Sequence, residues 1–208
     1  MRMSRPDTKN GRTPRAGARE RARLLLLALL LLASPAAARE VQVEVETHSH
    51  GCRVQGGFHT EVTPEVAWAV VSDYENIPRF VRSMVASRLE TDSTGTRRVH
   101  QTATGGLFVF QRKVHVVLAL EEDPGRRIRF RDVSGRDFRR YDGEWRIDLD
   151  SLGTRVSYEL DAEPRSAMPG SLVRGAFRGA AADLLDEVRR EMTRRATPTD
   201  PTADPSGR

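Results

Sequence analysis

His48-x-His50-x-Cys52 sets three side chains that can ligate a transition metal at alternate positions. Residues two apart in an extended segment share a side. Two imidazoles and a thiolate would then project together, a donor set that zinc or copper accepts. A closed structural site takes a fourth ligand, which the sequence does not reveal. The competing reading is a polar turn between two strands, and no metal is assigned. Covalent catalysis finds no footing either, since there is no Ser-His-Asp order, Cys-x-x-Cys or paired-histidine motif. Gly105-Gly106 lacks the lysine and helix of a phosphate loop. His59, His100 and His115 fall singly on strand-like segments, where solvent is their expected surrounding. The expectation is therefore no catalytic residue and no cofactor.

A second group suggests binding. If Phe108–Leu120 is one unbroken strand, Phe108, Phe110, Val114, Val116, Leu118 and Leu120 share the core side, and Arg112 joins them. By the same parity Arg139 and Tyr141 share a side with Trp145, with Tyr158 on the neighbouring strand. A guanidinium facing an apolar cavity needs a partner, which a ligand carboxylate, phosphate or quinone oxygen could provide. The alternative is a bulge at Gln111-Arg112 that shifts the register, or a place at the sheet rim where these side chains snorkel. Phe80, Met84, Phe108, Phe130, Trp145, Val173 and Phe177 are read as core first and pocket wall second.

Strands and one long helix must position these groups. Val41, Val43 and Val45 alternate with Gln42, Glu44 and Glu46, the period of a half-buried strand. Arg53–Thr60 follows as a second strand. Thr63-Pro64-Glu65 supplies a cap hydroxyl, a first-turn proline and an acid to a helix through Trp68 to Val71. Asp73 is positioned to cap a second short helix containing Pro78, Phe80 and Met84.

Val85–Thr91, Arg97–Thr104, Phe108–Glu121, Arg127–Val133, Arg139–Asp150 and Thr154–Glu163 then read as an antiparallel meander broken by turn signals. Ile128/Phe130, Trp145/Ile147/Leu149 and Val156/Tyr158/Leu160 share one face, and charged residues share the other. The apolar face must be covered. Pro169–Arg195 is the cover, with Val173, Phe177, Ala180, Leu184 and Val188 at helical spacing. Glycine in a helix costs about 1 kcal/mol relative to alanine. Gly175 and Gly179 therefore imply either close approach to the sheet or a cavity beside it.

The leucine-rich run Leu24–Leu32 follows Arg19, Arg21 and Arg23 and ends at Ala36-x-Ala38, the three parts of a secretory signal peptide. It is shorter than the roughly 20 residues a spanning helix needs, so cleavage after Ala38 is expected, with an uncleaved anchor as the rival. The full chain carries 34 Lys+Arg and 29 Asp+Glu, a net charge of +5. Eight basic and two acidic residues lie in 1–38, which leaves 26 and 27, a net charge of −1. The basic surplus that a phosphate-binding protein needs leaves with the leader, so nucleic acid is not an expected partner. Cys52 is the one cysteine and permits no internal disulfide. The organisation expected is a signal peptide at 1–38, a single domain at 39–196 and a disordered Pro- and Asp-rich tail at 197–208.

Specific segments resemble one family. Val66–Phe80, above all Asp73-Tyr74-x-x-x-Pro78-x-Phe80, resembles the first-helix segment of the coenzyme Q-binding, polyketide cyclase/dehydrase branch of the START-like (SRPBCC) superfamily. Gly135-x-Asp137–Trp145 and Gly153-Thr154-Arg155-Val156-x-Tyr158 are similar to its paired strands, and Pro164 and Pro169 fit the approach to its last helix. The likeness spans about residues 50–195. It implies an α+β helix-grip fold, a curved antiparallel sheet wrapped around a long C-terminal helix, with two short helices after the first strands. It also implies an apolar cavity between sheet and helix, which in the superfamily holds lipids, isoprenoid quinones, sterols or polyketide intermediates.

The functional expectation is a secreted or periplasmic protein that sequesters a hydrophobic small molecule, in transient contact with a membrane surface. The ligand's polar end would meet Arg112, Arg139, Tyr141 or Tyr158. The alternative is a cyclase/dehydrase-type enzyme acting on a polyketide-like substrate in the same cavity. A titratable pair lining the pocket would distinguish it.

Overall fold

The computed structural model describes residues 40–105, 112–166 and 169–197, with the backbone alone at Gly105 and Arg112. The leader, Phe108 and the tail beyond Thr197 lie outside the described residues. Eight antiparallel strands form one sheet: β1 (Gln42–His48), β2 (Gly51–Thr60), β3 (Met84–Thr91), β4 (Arg97–Gly105), β5 (Arg112–Asp123), β6 (Arg127–Asp132), β7 (Phe138–Asp150) and β8 (Gly153–Pro164). Their spatial order is β1-β2-β8-β7-β6-β5-β4-β3. Helix α1 (Pro64–Val71), a 3-10 turn at Tyr74–Asn76 and the single-turn helix α2 (Ile77–Phe80) join β2 to β3. The long helix α3 (Gly170–Ala196) closes the fold. This is the helix-grip architecture expected. Among the described residues the buried core is drawn from Val45 to Met192. No helix of the described residues is long and apolar enough to cross a membrane.

Local chemistry explains where the elements start. The Thr63 hydroxyl accepts from the Val66 N–H, and Pro64 opens α1 where no N–H is needed. Asp73 departs from its expected role. Its carboxylate makes no cap, and it instead accepts from Asn76 Nδ2 at 2.8 Å and pairs with Arg195 at 2.7 Å. Helix α2 ends at Phe80, and Met84 opens β3 instead of extending the helix.

Alternation along β6, β7 and β8 buries Ile128, Phe130, Ile147, Val156, Tyr158 and Leu160 against the helices. Leu149 shares their parity but is 72 % exposed, because it lies at the β7–β8 turn, beyond the cover. The seam of α3 also turns relative to its expected line. Val173, Ala181, Leu185, Val188 and Met192 are buried, while Ala180 faces outward. Two acids, Glu187 and Glu191, sit buried on that seam.

The helix glycines serve neither expected purpose. A Cβ on Gly175 or Gly179 would meet nothing within 4 Å. Close approach is achieved from the sheet side, at Gly56 of β2. A Cβ there would lie 2.7 Å from Leu185 Cδ1 and 2.8 Å from the Gln42 carbonyl oxygen. Gly143 of β7 makes similar room for the Phe130 ring, which a Cβ there would overlap.

These positions predict opposite responses to one added methyl. Gly175→Ala and Gly179→Ala should each raise stability by about 0.5–1 kcal/mol. Gly56→Ala should lower it by about 1–3 kcal/mol through overpacking. Urea denaturation of the three variants measures both signs.

Candidate ligand-binding site

A cavity of about 110 Å³ lies between the inner face of the sheet and the helices. Val70 and Val71 of α1, Ile77 and Phe80 of α2, and Leu184 and Val188 of α3 form its helical wall. Met84, Leu118, Leu120, Ile128, Phe130 and Trp145 form its sheet wall. Polar atoms reach it from Gln101, Tyr74, Tyr141 and Tyr158. Gln101 shares the parity of Val99 on β4, the one sequence signal that could have placed it there. Its amide Nε2 donates to Ser87 Oγ at 3.4 Å.

Tyr74 is part of the wall, but its hydroxyl is already engaged. It donates to Glu122 Oε1 at 2.6 Å, Arg97 pairs with the same carboxylate, and the Arg97 guanidinium lies 5.5 Å from the Tyr74 ring centre. Burial and then the Glu122 carboxylate push the Tyr74 phenol far above its ordinary range. Tyr74 is thus an anchor between the first helical segment and β5.

Tyr141 and Tyr158 stand on the paired strands β7 and β8 within an aromatic cluster. The Trp145 ring centre lies 4.7 Å from Tyr158, and that of Phe138 lies 4.7 Å from Tyr141. Phe130 lies 6.1 Å from Tyr141 and 6.3 Å from Tyr158. Burial, and then the neighbouring Tyr141 phenol, push Tyr158 well above its ordinary value. Burial also raises Tyr141, against the lowering effect of a hydrogen bond from Tyr158. Both phenols are therefore protonated at neutral pH. Each phenol thus keeps an O–H that can donate.

Of the expected site residues, Phe80, Met84, Phe130, Tyr141, Trp145 and Tyr158 line the cavity. Val173 is buried farther along α3, and Phe177 packs edge-on against Phe138 with ring centres 6.5 Å apart; neither lines the cavity. Arg139 is corrected. The register shifts between Phe138 and Arg140, so Phe138 turns inward and Arg139 outward, where it pairs with Glu163 at 3.3 Å. A bulge does occur here, while Gln111, the alternative position for one, lies outside the described residues. Arg112 opens β5 opposite Gly105, and its side chain lies outside the described residues. Phe108 is likewise not described.

The His48, His50 and Cys52 reading separates by strand geometry. Cys52 pairs with Thr47, not with His48, and points into the core. His48 stands exposed, 3.7 Å from Asp161. Burial raises the Cys52 thiol to about 11, with Asp161 adding to the effect, so it rests as the protonated thiol at neutral pH. Among the described residues no group of three or more candidate ligands could hold a metal ion.

Two arginine–carboxylate clusters hold the helical wall in place. Arg82, just after α2, gives its backbone N–H and its Nε to buried Glu187. Arg195, in the last turn of α3, bonds Glu191, Asp73 and the Ala69 carbonyl oxygen, and its guanidinium lies 5.7 Å from the Phe80 ring centre.

Residues 60–189 match the family described as polyketide cyclase/dehydrase and lipid transport. The chain belongs to that family. Solved structures agree on the fold at low identity. A STAR-related lipid transfer protein from Xanthomonas axonopodis is 17 % identical with a TM-score of 0.60, covering 75 % of this chain and 95 % of that one. A START superfamily protein from Mycobacterium smegmatis is 16 % identical with a TM-score of 0.59, over 71 % and 99 %. The Zhui aromatase/cyclase from Streptomyces sp. R1128 is 16 % identical with a TM-score of 0.59, over 70 % and 95 %. No curated protein matches the chain.

The anchor has a pH signature. The hydrogen bond from Arg194, aided by Arg195 and opposed by burial, lowers Glu191 from 4.5 to about 2. A lowered carboxyl stabilises the fold above its unfolded pKa and loses that contribution as pH falls through the folded value. Unfolding midpoints should therefore drop as pH falls from about 4.5 toward about 2. Glu191→Gln should flatten that part of the profile.

Proposed function

We propose that this protein binds a hydrophobic small molecule, of the lipid or isoprenoid quinone class, in the cavity between sheet and α3, and carries it without chemical change. The observation that carries the reading is the cavity wall. It is apolar except for an amide and phenols held in their protonated form. A neutral O–H donor facing an apolar space suits a carbonyl or quinone oxygen. Each buried CH₂ adds about 0.8 kcal/mol, so a chain binds with few polar contacts. A space of 110 Å³ is smaller than the roughly 300–1,000 Å³ of ligand pockets. A long ligand must therefore displace Met84 and Leu184, and methionine adapts its shape readily. Family membership and the shared fold of a lipid transfer protein support the reading.

The cyclase alternative asks more of the same residues. Acid–base catalysis works best with a pKa near the working pH, and both phenols are driven away from it. They form the titratable pair that the alternative requires, yet their ionisation favours hydrogen-bond donation over proton abstraction.

Native mass spectrometry of protein gently purified from its own host should show a co-purifying apolar ligand. Repeated recovery of empty protein that takes up neither lipids nor quinones would falsify the reading. Trp145 lines the cavity, so in a Trp68→Phe background an isoprenoid naphthoquinone should quench its fluorescence. Tyr141→Phe should weaken that binding about 3- to 10-fold, the worth of one hydrogen bond.

We also propose a secreted or periplasmic location, resting on Leu24–Ala38. N-terminal sequencing of the exported protein should begin at Arg39. A start at Met1 in the membrane fraction would favour the anchor instead.

A further inference from the structure

Because neighbouring strands are all antiparallel, the connections separate cleanly to the two ends of the sheet. The β1–β2, β6–β7 and β8–α3 connections share one end with the first turns of α3, as do the end of β4 and the start of β5. The β3–β4, β5–β6 and β7–β8 turns share the other. The two ends differ in charge.

At the first end the exposed charges are mainly basic: Lys113, Arg136, Arg165, Arg174 and Arg178, with Glu46 opposite Arg53 near the β1–β2 turn. Its acids are engaged locally. Asp132 accepts from the backbone N–H groups of Val117, Ser134 and Gly135, and Asp137 accepts from that of His115. Among the described residues Arg136, Arg165, Arg174 and Arg178 have no carboxylate within ion-pair reach.

Short contacts make this end one surface. Arg165 binds the Gly135 carbonyl oxygen through Nε and the Asp137 carbonyl oxygen through its backbone N–H. Arg174 reaches Thr47 Oγ1 at 3.2 Å. Two apolar side chains stand out from it, Val133 at 49 % and Leu172 at 45 % exposure.

The opposite end also exposes apolar residues, Leu149 and Leu152 of the β7–β8 turn. They stand beside Asp148 and Asp150, at an end where Glu61, Asp92 and Asp123 are interspersed with Arg97, Arg98, Arg126 and Arg155. That end is of mixed sign, so an anionic surface would attract the first end more strongly.

We propose that the basic end docks on an anionic lipid surface. Leu172 and Val133 enter the headgroup region, and Arg136, Arg165, Arg174 and Arg178 lie against lipid phosphates. The match is one of charge and of phase. Guanidinium groups around isolated apolar side chains suit a layer that is anionic at its surface and apolar beneath it. Met84 and Tyr141 carry the cavity toward this same end of the strands. The docking stands whether or not the cavity ligand is the one proposed above.

The test uses the chain from Arg39, which holds every core residue among those described, with no cavity ligand added. It should sediment with vesicles of phosphatidylcholine and phosphatidylglycerol, less so as salt rises, and poorly with phosphatidylcholine alone. Arg136→Gln, Arg174→Gln and Arg178→Gln should each weaken binding about fivefold. Leu172→Ser should weaken it with the salt dependence unchanged, and Leu149→Ser with Leu152→Ser should leave it as it was. Circular dichroism melts confirm that each variant is folded. Equal binding to neutral vesicles, or no loss in the arginine variants, overturns the proposal. So does binding of a single-stranded oligonucleotide as tight as that of anionic vesicles and insensitive to Leu172→Ser, which marks a general polyanion surface. If quinone binding fails while vesicle binding behaves as described, the cavity reading falls and the docking surface stands.

Discussion

The pairing of two buried carboxylates with two arginines at the C-terminal half of α3 governs much of this structure. Glu187 and Glu191 lie on the helix seam, where an uncompensated charge would be costly. Arg82 and Arg195 compensate them, and Arg195 extends the connection to Asp73 and the end of α1. Buried ion pairs add little net stability, since desolvation offsets attraction. Their contribution here is positional. They fix the last turns of α3 against α1 and α2 at one angle, and the cavity is bounded by those helices and the sheet.

Asp73 and Tyr74, the most recognisable part of the family-like segment, contribute to the same end. Asp73 receives Arg195 from the final helix, and Tyr74 reaches Glu122 on β5. Two adjacent residues thus join the small helices to both the helix and the sheet. Their conspicuous spacing marks a structural joint next to a cavity. The glycines divide in a similar way. Gly56 and Gly143 have no room for a Cβ, while Gly175 and Gly179 have nothing beside them. The first half of α3 therefore carries the helical cost of glycine without a packing return, and its second half carries the anchors.

The cavity's chemistry follows from burial. Two phenols removed from water keep their protons, so its polar corner presents hydrogen-bond donors and no formal charge. Cys52, beside that corner, is silenced by the same effect. Charge collects on the outer face of the sheet and at the ends of the strands, where water solvates it.

Most of the architecture could be read in the chain itself. Period-2 alternation, turn residues and the Thr63-Pro64 cap located nearly every strand and helix, because they act between neighbours in sequence. Cavity residues on regular strands, such as Phe130, Trp145 and Tyr158, were legible for the same reason. Parity carries a side chain to a known face as long as the ladder is unbroken. Only the tertiary structure decided the remainder. One bulge turned Arg139 from the cavity to solvent, and strand pairing parted His48 from Cys52. Ion pairs between residues more than a hundred positions apart turned Asp73 from a cap into an anchor. Each of these depends on register or on distant partners, and a local pattern of residue types contains no term for either.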